Sequence, residues 1–103
     1  MTYAHVVDVV APVELYDALH AEIVHASAGR VDGLLVHVGR PTAAGFQVLE
    51  VWRSREEFER YNASVVLPAA GRLAGDAAGP ELRQEVTEFD VHGLVLTDGA
   101  VVV

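Results

Sequence analysis

The chain has 103 residues, 51% of them hydrophobic and 21% charged, and it carries no cysteine. That length fits one domain, at a size where folding hides only about 60–70% of the unfolded surface and a second copy would help to cover a thin core. Missing thiols exclude a disulfide framework, a thiolate zinc site and a cysteine nucleophile. Seven arginines and no lysine face fifteen acidic residues, for a formal net charge of −8. Such a surface repels phosphate backbones and no basic patch interrupts it, so nucleic acid is not an expected partner. The apolar runs fall well short of the ~20 residues of a membrane span, and Tyr3 onward reads as a strand rather than a leader segment. The expectation is a cytoplasmic, membrane-free protein in which residues 1–103 form one domain.

Tyr3 to Val10 is rich in β-branched residues and short enough for a strand. Pro12 then stands where a helix can begin without losing a hydrogen bond. From Val13 to about Ala26, Leu15, Leu19 and Ile23 recur every fourth residue, the spacing of one helical stripe, and Gly29 fits the C-terminal cap. Leu34 to Arg40 reads as a second strand, Pro41 to Gly45 as a turn, and Phe46 to Arg53 as a third strand. Alternation puts Phe46, Val48, Glu50 and Trp52 on one face of that strand, and Gln47, Leu49 and Val51 on the other. Ser54 with Glu57 three residues on is a capping box, predicting a second helix that runs to Leu67, where Pro68 interrupts. Ala69 to Pro80 reads as a Gly-rich irregular or short-helical connector, and Glu85 to Leu96 as a long strand. Thr97-Asp98-Gly99 is a turn signal, after which Ala100 to Val103 would return as a short fifth strand. The order β-α-β-β-α-β predicts a ferredoxin-like α+β fold: an antiparallel sheet with both helices on one face. The apolar residues left on the other face predict a homodimer, two sheets back to back in a closed α+β barrel.

The stretch Gly45-Phe46-Gln47-Val48-Leu49-Glu50-Val51-Trp52-Arg53-Ser54-Arg55-Glu56-Glu57-Phe58 resembles the antibiotic biosynthesis monooxygenase (ABM) superfamily of dimeric α+β barrels. Its specific part is the Trp52-x-Ser54 junction, with His37 on the preceding strand. The resemblance implies an aromatic pocket in which Trp52 matches a Trp at the end of the third strand and His37 a pocket histidine. Val48 stands where the quinone-forming type carries Asn, and Phe58 where a Tyr would fall. The second helix has no histidine to serve as a haem ligand; Asn62 occupies about that turn.

Three residues are candidate catalytic groups. Glu50 shares the face of Trp52, and a carboxyl buried there would have a raised pKa suited to acid–base work. His37 and His92, read as lying on central strands, could face the same cavity and take a phenolic or enolic proton as neutral imidazoles. For each of these a hydrogen-bonded structural role is the competing explanation. His5 is ambiguous, and His20 and His25 fall on different faces of the first helix. Trp52, Phe46, Val48, Phe58 and Asn62 are the candidate substrate-binding residues. They serve if the Phe46/Val48/Glu50/Trp52 face is the barrel interior and Leu49 and Val51 face the helices. No H-x-H or H-E-x-x-H spacing, dinucleotide loop, P-loop or nucleophile elbow is present, so neither metal nor cofactor is expected.

Two functions compete on this sequence. One is a cofactor-independent monooxygenase in which His37, Glu50 or His92 removes a proton from an aromatic, polyketide-like small molecule and the carbanion reacts with O2. The same deprotonation without oxygen would give an isomerase or cyclase. The other is a non-catalytic dimeric ligand-binding barrel. A closed cavity beside Trp52, reached by a polar group, would separate them.

Overall fold

The computed structural model describes residues 2–74 and 83–99. Strands β1 (Tyr3–Val10), β2 (Leu34–Pro41), β3 (Phe46–Trp52) and β4 (Arg83–Phe89) form one sheet in the order β2-β3-β1-β4. Every neighbouring pair is antiparallel. Helix α1 (Val13–Ser27) links β1 to β2. After β3 the chain coils through α2 (Arg55–Tyr61), a π-helical stretch (Asn62–Val66) and α3 (Leu67–Ala74). This is the ferredoxin-like α+β arrangement expected from the element order.

Local chemistry sets the boundaries. Pro12 is the N-cap of α1, and its carbonyl accepts from Leu15 N–H at 3.0 Å. The helix ends one residue before the expected glycine: Ala28 already takes a left-handed conformation (φ 55°), and Gly29 follows with its N–H on Val24 O. Ser54 caps α2 as the capping box predicts, its Oγ accepting from Glu57 N–H at 3.2 Å. Between β2 and β3 the turn closes through Thr42 N–H to Gly45 O at 2.9 Å. A Cβ on Gly45 would run into the backbone of Val9 and Ala11, so only glycine fits beneath that turn.

Pro68 does not end the second helical segment, contrary to the sequence expectation. A proline inside an α-helix loses one hydrogen bond and clashes with the carbonyl four residues back. Here the wider π turn precedes it, with Leu67 N–H reaching Asn62 O, and the coil continues to Ala74. Residues 69–74 of the expected connector are therefore helical; the rest of it, and the expected fifth strand at Ala100 to Val103, lie outside the described residues. The last strand is shorter than expected and stops at Phe89 rather than Leu96. Gly99 N–H to Leu96 O closes the turn that the Thr97-Asp98-Gly99 signal predicts.

The two faces of the sheet are exchanged relative to the sequence reading. Register aligns His5 and His37 with Glu50, Tyr3 with Trp52, and Val7 and Gly39 with Val48, so these share one face. That face is the one beneath the helices, because Phe58 and Tyr61 of the α2 segment and Tyr16 of α1 lie on it. Leu49, Val51, Val38, Ala4 and Phe89 form the opposite face, open at Val38 and Phe89 while Ala4 and Val51 on it are buried. The inversion has a packing cause. Trp52, completely buried, and Phe46, 5% exposed, are the large groups of β3, and they fill the gap to two helices better than Leu49 and Val51 would.

Candidate active site

Three strands each bring one titratable residue to a single level of the sheet: His5 on β1, Glu50 on β3 and His37 on β2. The Glu50 carboxylate lies between the two imidazoles. Its Oε2 stands 2.7 Å from His37 Nδ1, and its Oε1 stands 3.1 Å from both His5 Nε2 and Trp52 Nε1. The side chains of His5 and Glu50 are only 4% and 11% exposed, whereas that of His37 keeps 26%. Outward from the carboxylate, His37 Nε2 meets the Tyr16 hydroxyl at 2.9 Å and His5 Nδ1 meets the Tyr3 hydroxyl at 3.3 Å.

Charge fixes the direction of these bonds. Burial pushes the Glu50 carboxyl up, but hydrogen bonds from His37, His5 and Trp52 outweigh it and bring the pKa down to about 2. The raised carboxyl expected from the sequence is therefore corrected to an ionised one. An ionised carboxylate only accepts, so His37 Nδ1–H, His5 Nε2–H and the Trp52 indole N–H donate to it. An imidazole that carries only that one N–H offers its other nitrogen as an acceptor: His37 Nε2 takes the Tyr16 O–H, whereas the Tyr3 hydroxyl beside His5 Nδ1 is shared with the Glu88 carboxylate. No buried side-chain nitrogen or oxygen among the described residues lacks a partner.

Aromatic rings surround this chain of bonds. Phe58 lies against His5 (4.7 Å between centroids), Tyr3 (5.3 Å) and Trp52 (5.6 Å), and Tyr61 closes over Trp52 at 5.1 Å. Burial, with the charge of Glu50 adding to it, pushes the Tyr61 phenol up to about 12. On the other side Tyr16 touches Phe46 at 5.7 Å and is flanked by the rings of His20 and His37. A Cβ on Gly39 would strike the Tyr16 ring, so the bare glycine is what lets this ring lie against β2.

The structure thus gathers His37, Glu50, Trp52, Phe46, Val48 and Phe58 on the helix-covered face, with Asn62 half-buried at the start of the π turn. His92 is not among them. It is exposed and lies beyond the end of β4, so the expected central-strand histidine is corrected to a surface one. His37 is on an edge strand, not a central one. Sequence reading left His5 open and did not single out Tyr16. Both left a signal: His5 sits at an inward position of β1, and Tyr16 and His20 are four apart on one helix face. Two clefts indent the surface, one of about 700 Å³ between Val31, Arg53, Glu57 and Tyr61, and one of about 590 Å³ beside the β2–β3 turn. Neither is lined by Glu50, His37 or Trp52. Among the described residues no group of three or more His, Cys, Asp or Glu is arranged to hold a metal ion, and no helix is long and apolar enough to cross a membrane.

The ferredoxin-like order of strands and helices defines a class of small α+β proteins, and solved structures narrow it. Over 88% of this chain and 91% of the other, it superposes on SnoaB from Streptomyces nogalater, a cofactor-independent oxygenase, with a TM-score of 0.58 at 19% identity. A structure named antibiotic biosynthesis monooxygenase matches with a TM-score of 0.61 at 15% identity, over 88% of this chain and 98% of the other. A Chloroflexus aurantiacus protein provisionally named as such a monooxygenase matches at 0.53 and 26% identity, over 90% and 98% of the two chains. No protein-family model and no curated protein matches the sequence. The chain has the fold of the antibiotic biosynthesis monooxygenases.

Proposed function

We propose that this chain is a cofactor-independent monooxygenase for flat phenolic molecules, with His37 as the proton acceptor. The observation that carries the reading is the buried, ionised Glu50 held 2.7 Å behind His37 Nδ1. A carboxylate there fixes the ring's tautomer and stabilises the imidazolium formed when Nε2 takes a proton. Glu50 is then a positioning group rather than the base. A phenol deprotonated at that nitrogen is electron-rich at its ring carbons and can react with O2 as co-reactant. In the balanced step a ring CH2 becomes C=O: one oxygen atom enters the product, and the other leaves as water with the two hydrogens. The substrate supplies all four electrons, so no external reductant enters. Fold likeness to a named oxygenase adds support at the level of scaffold, not of reaction.

Under this reading Phe46, Val48, Trp52, Phe58 and Asn62 shape the substrate's space, and Trp52 orients the ring without reacting. The protein works as a one-domain cytoplasmic homodimer whose partner covers the open face, where Val10 and Val38 are each 50% exposed. Each ~100 Å² of apolar surface covered there is worth about 2.5 kcal/mol before association costs. One observation favours the non-catalytic alternative: Trp52 has no exposed surface and lines neither of these two clefts. Quinone formation from a hydroxylated anthrone in air, followed by absorbance, decides between the two. The enzyme reading expects turnover above background and a loss of about 10²–10⁴-fold in His37→Gln. Saturable binding of the anthrone and related phenols with no turnover in the unaltered protein would leave the binding role.

A further inference from the structure

The buried carboxylate has two exits, and they differ. One runs Glu50–His5–Tyr3, with steps of 3.1 and 3.3 Å; the other runs Glu50–His37–Tyr16, with steps of 2.7 and 2.9 Å. Along the first, His5 is sealed, Phe58 covers the Tyr3 ring and the Arg55 guanidinium sits 5.2 Å above it. Along the second, His37 keeps partial exposure and Tyr16 rides on α1, a helix with no buried residue. His20, exposed on the same helix face, stacks on Tyr16 at 5.5 Å. His37 Nε2, the nitrogen that would accept a substrate proton, already faces the Tyr16 hydroxyl.

From this geometry we infer that Tyr16 is the substrate-facing member of a Tyr16–His37–Glu50 proton relay, a role that rests on the reading of His37 as base. The arrangement is that of a hydroxyl–imidazole–carboxylate triad, with a phenol in the hydroxyl position. As the substrate's O–H breaks, its proton bonds to the Tyr16 oxygen, the Tyr16 proton passes to His37 Nε2, and Glu50 stabilises the resulting imidazolium. No net charge is left on Tyr16, and no oxidant takes part in this step. Such a relay reaches a substrate without uncovering His37. The Tyr16 phenol is itself pushed up by burial, then by the Asp17 and Glu50 charges, so it stays protonated between turnovers. The titratable groups facing it are Asp17 and His20 on α1, His37 on β2 and Glu50 on β3. Gly39 admits the ring to this position.

The test uses the full chain and a hydroxylated anthrone in air, with Tyr16→Phe, His37→Gln and, as a surface control, His25→Gln. The relay predicts a fall of about 10²-fold in kcat for Tyr16→Phe with a smaller change in KM, while His25→Gln keeps the full rate. Placing 3-fluorotyrosine at position 16 retains the shape and makes the phenol more acidic. The high-pH limb of the kcat profile should then move to lower pH, which a purely structural tyrosine would not produce. Full or faster turnover in Tyr16→Phe, or an unmoved pH profile with the fluorinated residue, overturns the relay. If His37→Gln is inactive in either of those cases, the base assignment stands without the relay. A fully active His37→Gln removes both.

Discussion

On the helix-covered face of the sheet, Trp52 and Phe46 are buried among aromatic rings and a carboxylate is held by three donors. On the open face, Val10 and Val38 are each 50% exposed and Phe89 is 41% exposed, beside a surface ladder of Arg40, Gln47 and Asp8. The same four strands supply both. The covered face puts its charge where it is fully partnered, at the cost of desolvating it. The open face leaves Val10, Val38 and Phe89 uncovered and keeps the charges of Asp8 and Arg40 in water, although Ala4 and Val51 on it are buried. The proposed function accordingly assigns chemistry to the covered face and association to the open one.

The contrast fails if the covered face tolerates change as readily as the open one. Trp52→Ala removes the largest buried side chain and is expected to cost about 3–5 kcal/mol in chemical denaturation. Glu50→Ala leaves His5, His37 and Trp52 donors without their acceptor, for a loss of similar size, about 3–4 kcal/mol.

Acid should reveal the same carboxylate. Its folded pKa lies at about 2, below the ordinary 4.5. The folded state thus binds the proton less readily than the unfolded one, so the stabilisation is fully present above the ordinary value. It is lost as pH falls from there toward the folded one. A denaturation series across that window should show the decline, and Glu50→Gln should remove this part of it.

Smaller effects sharpen the comparison. Gly39→Ala, which presses a methyl into the Tyr16 ring, is expected to cost about 1–3 kcal/mol and to break the Tyr16–His37 bond, visible in the His37 ring signals by NMR. Val38→Asp on the open face should change the stability of the single chain by less than about 0.5 kcal/mol. In analytical ultracentrifugation it should shift the protein from dimer to monomer. An unchanged sedimentation coefficient would remove the open face as the site of association.

Much of the fold was legible in the sequence because it is written locally. β-branched runs, the Leu15–Leu19–Ile23 spacing and the Ser54–Glu57 box each report on a few neighbouring residues. The exceptions have physical causes. Pro68 reads as a helix end because an α turn cannot hold it, and a π turn, which leaves no sequence signature, can. His92 reads as a strand residue because Val91 and Val95 continue the β-branched pattern, yet the strand stops at Phe89. Of the site, alternation alone joined Glu50 to Trp52.

By itself the sequence determined the order of the elements, the caps that bound them and the grouping of Phe46, Val48, Glu50 and Trp52 on one side of β3. Those follow from backbone period and from hydrogen bonds spanning three or four residues. The tertiary structure alone decided which side the helices cover, which histidines meet Glu50 and the sign of its pKa shift. Each of these depends on the register of strands far apart in the chain, His5 with Glu50 and Glu50 with His37. An imidazole N–H can offset the burial of a carboxylate only when that register brings it within hydrogen-bond distance.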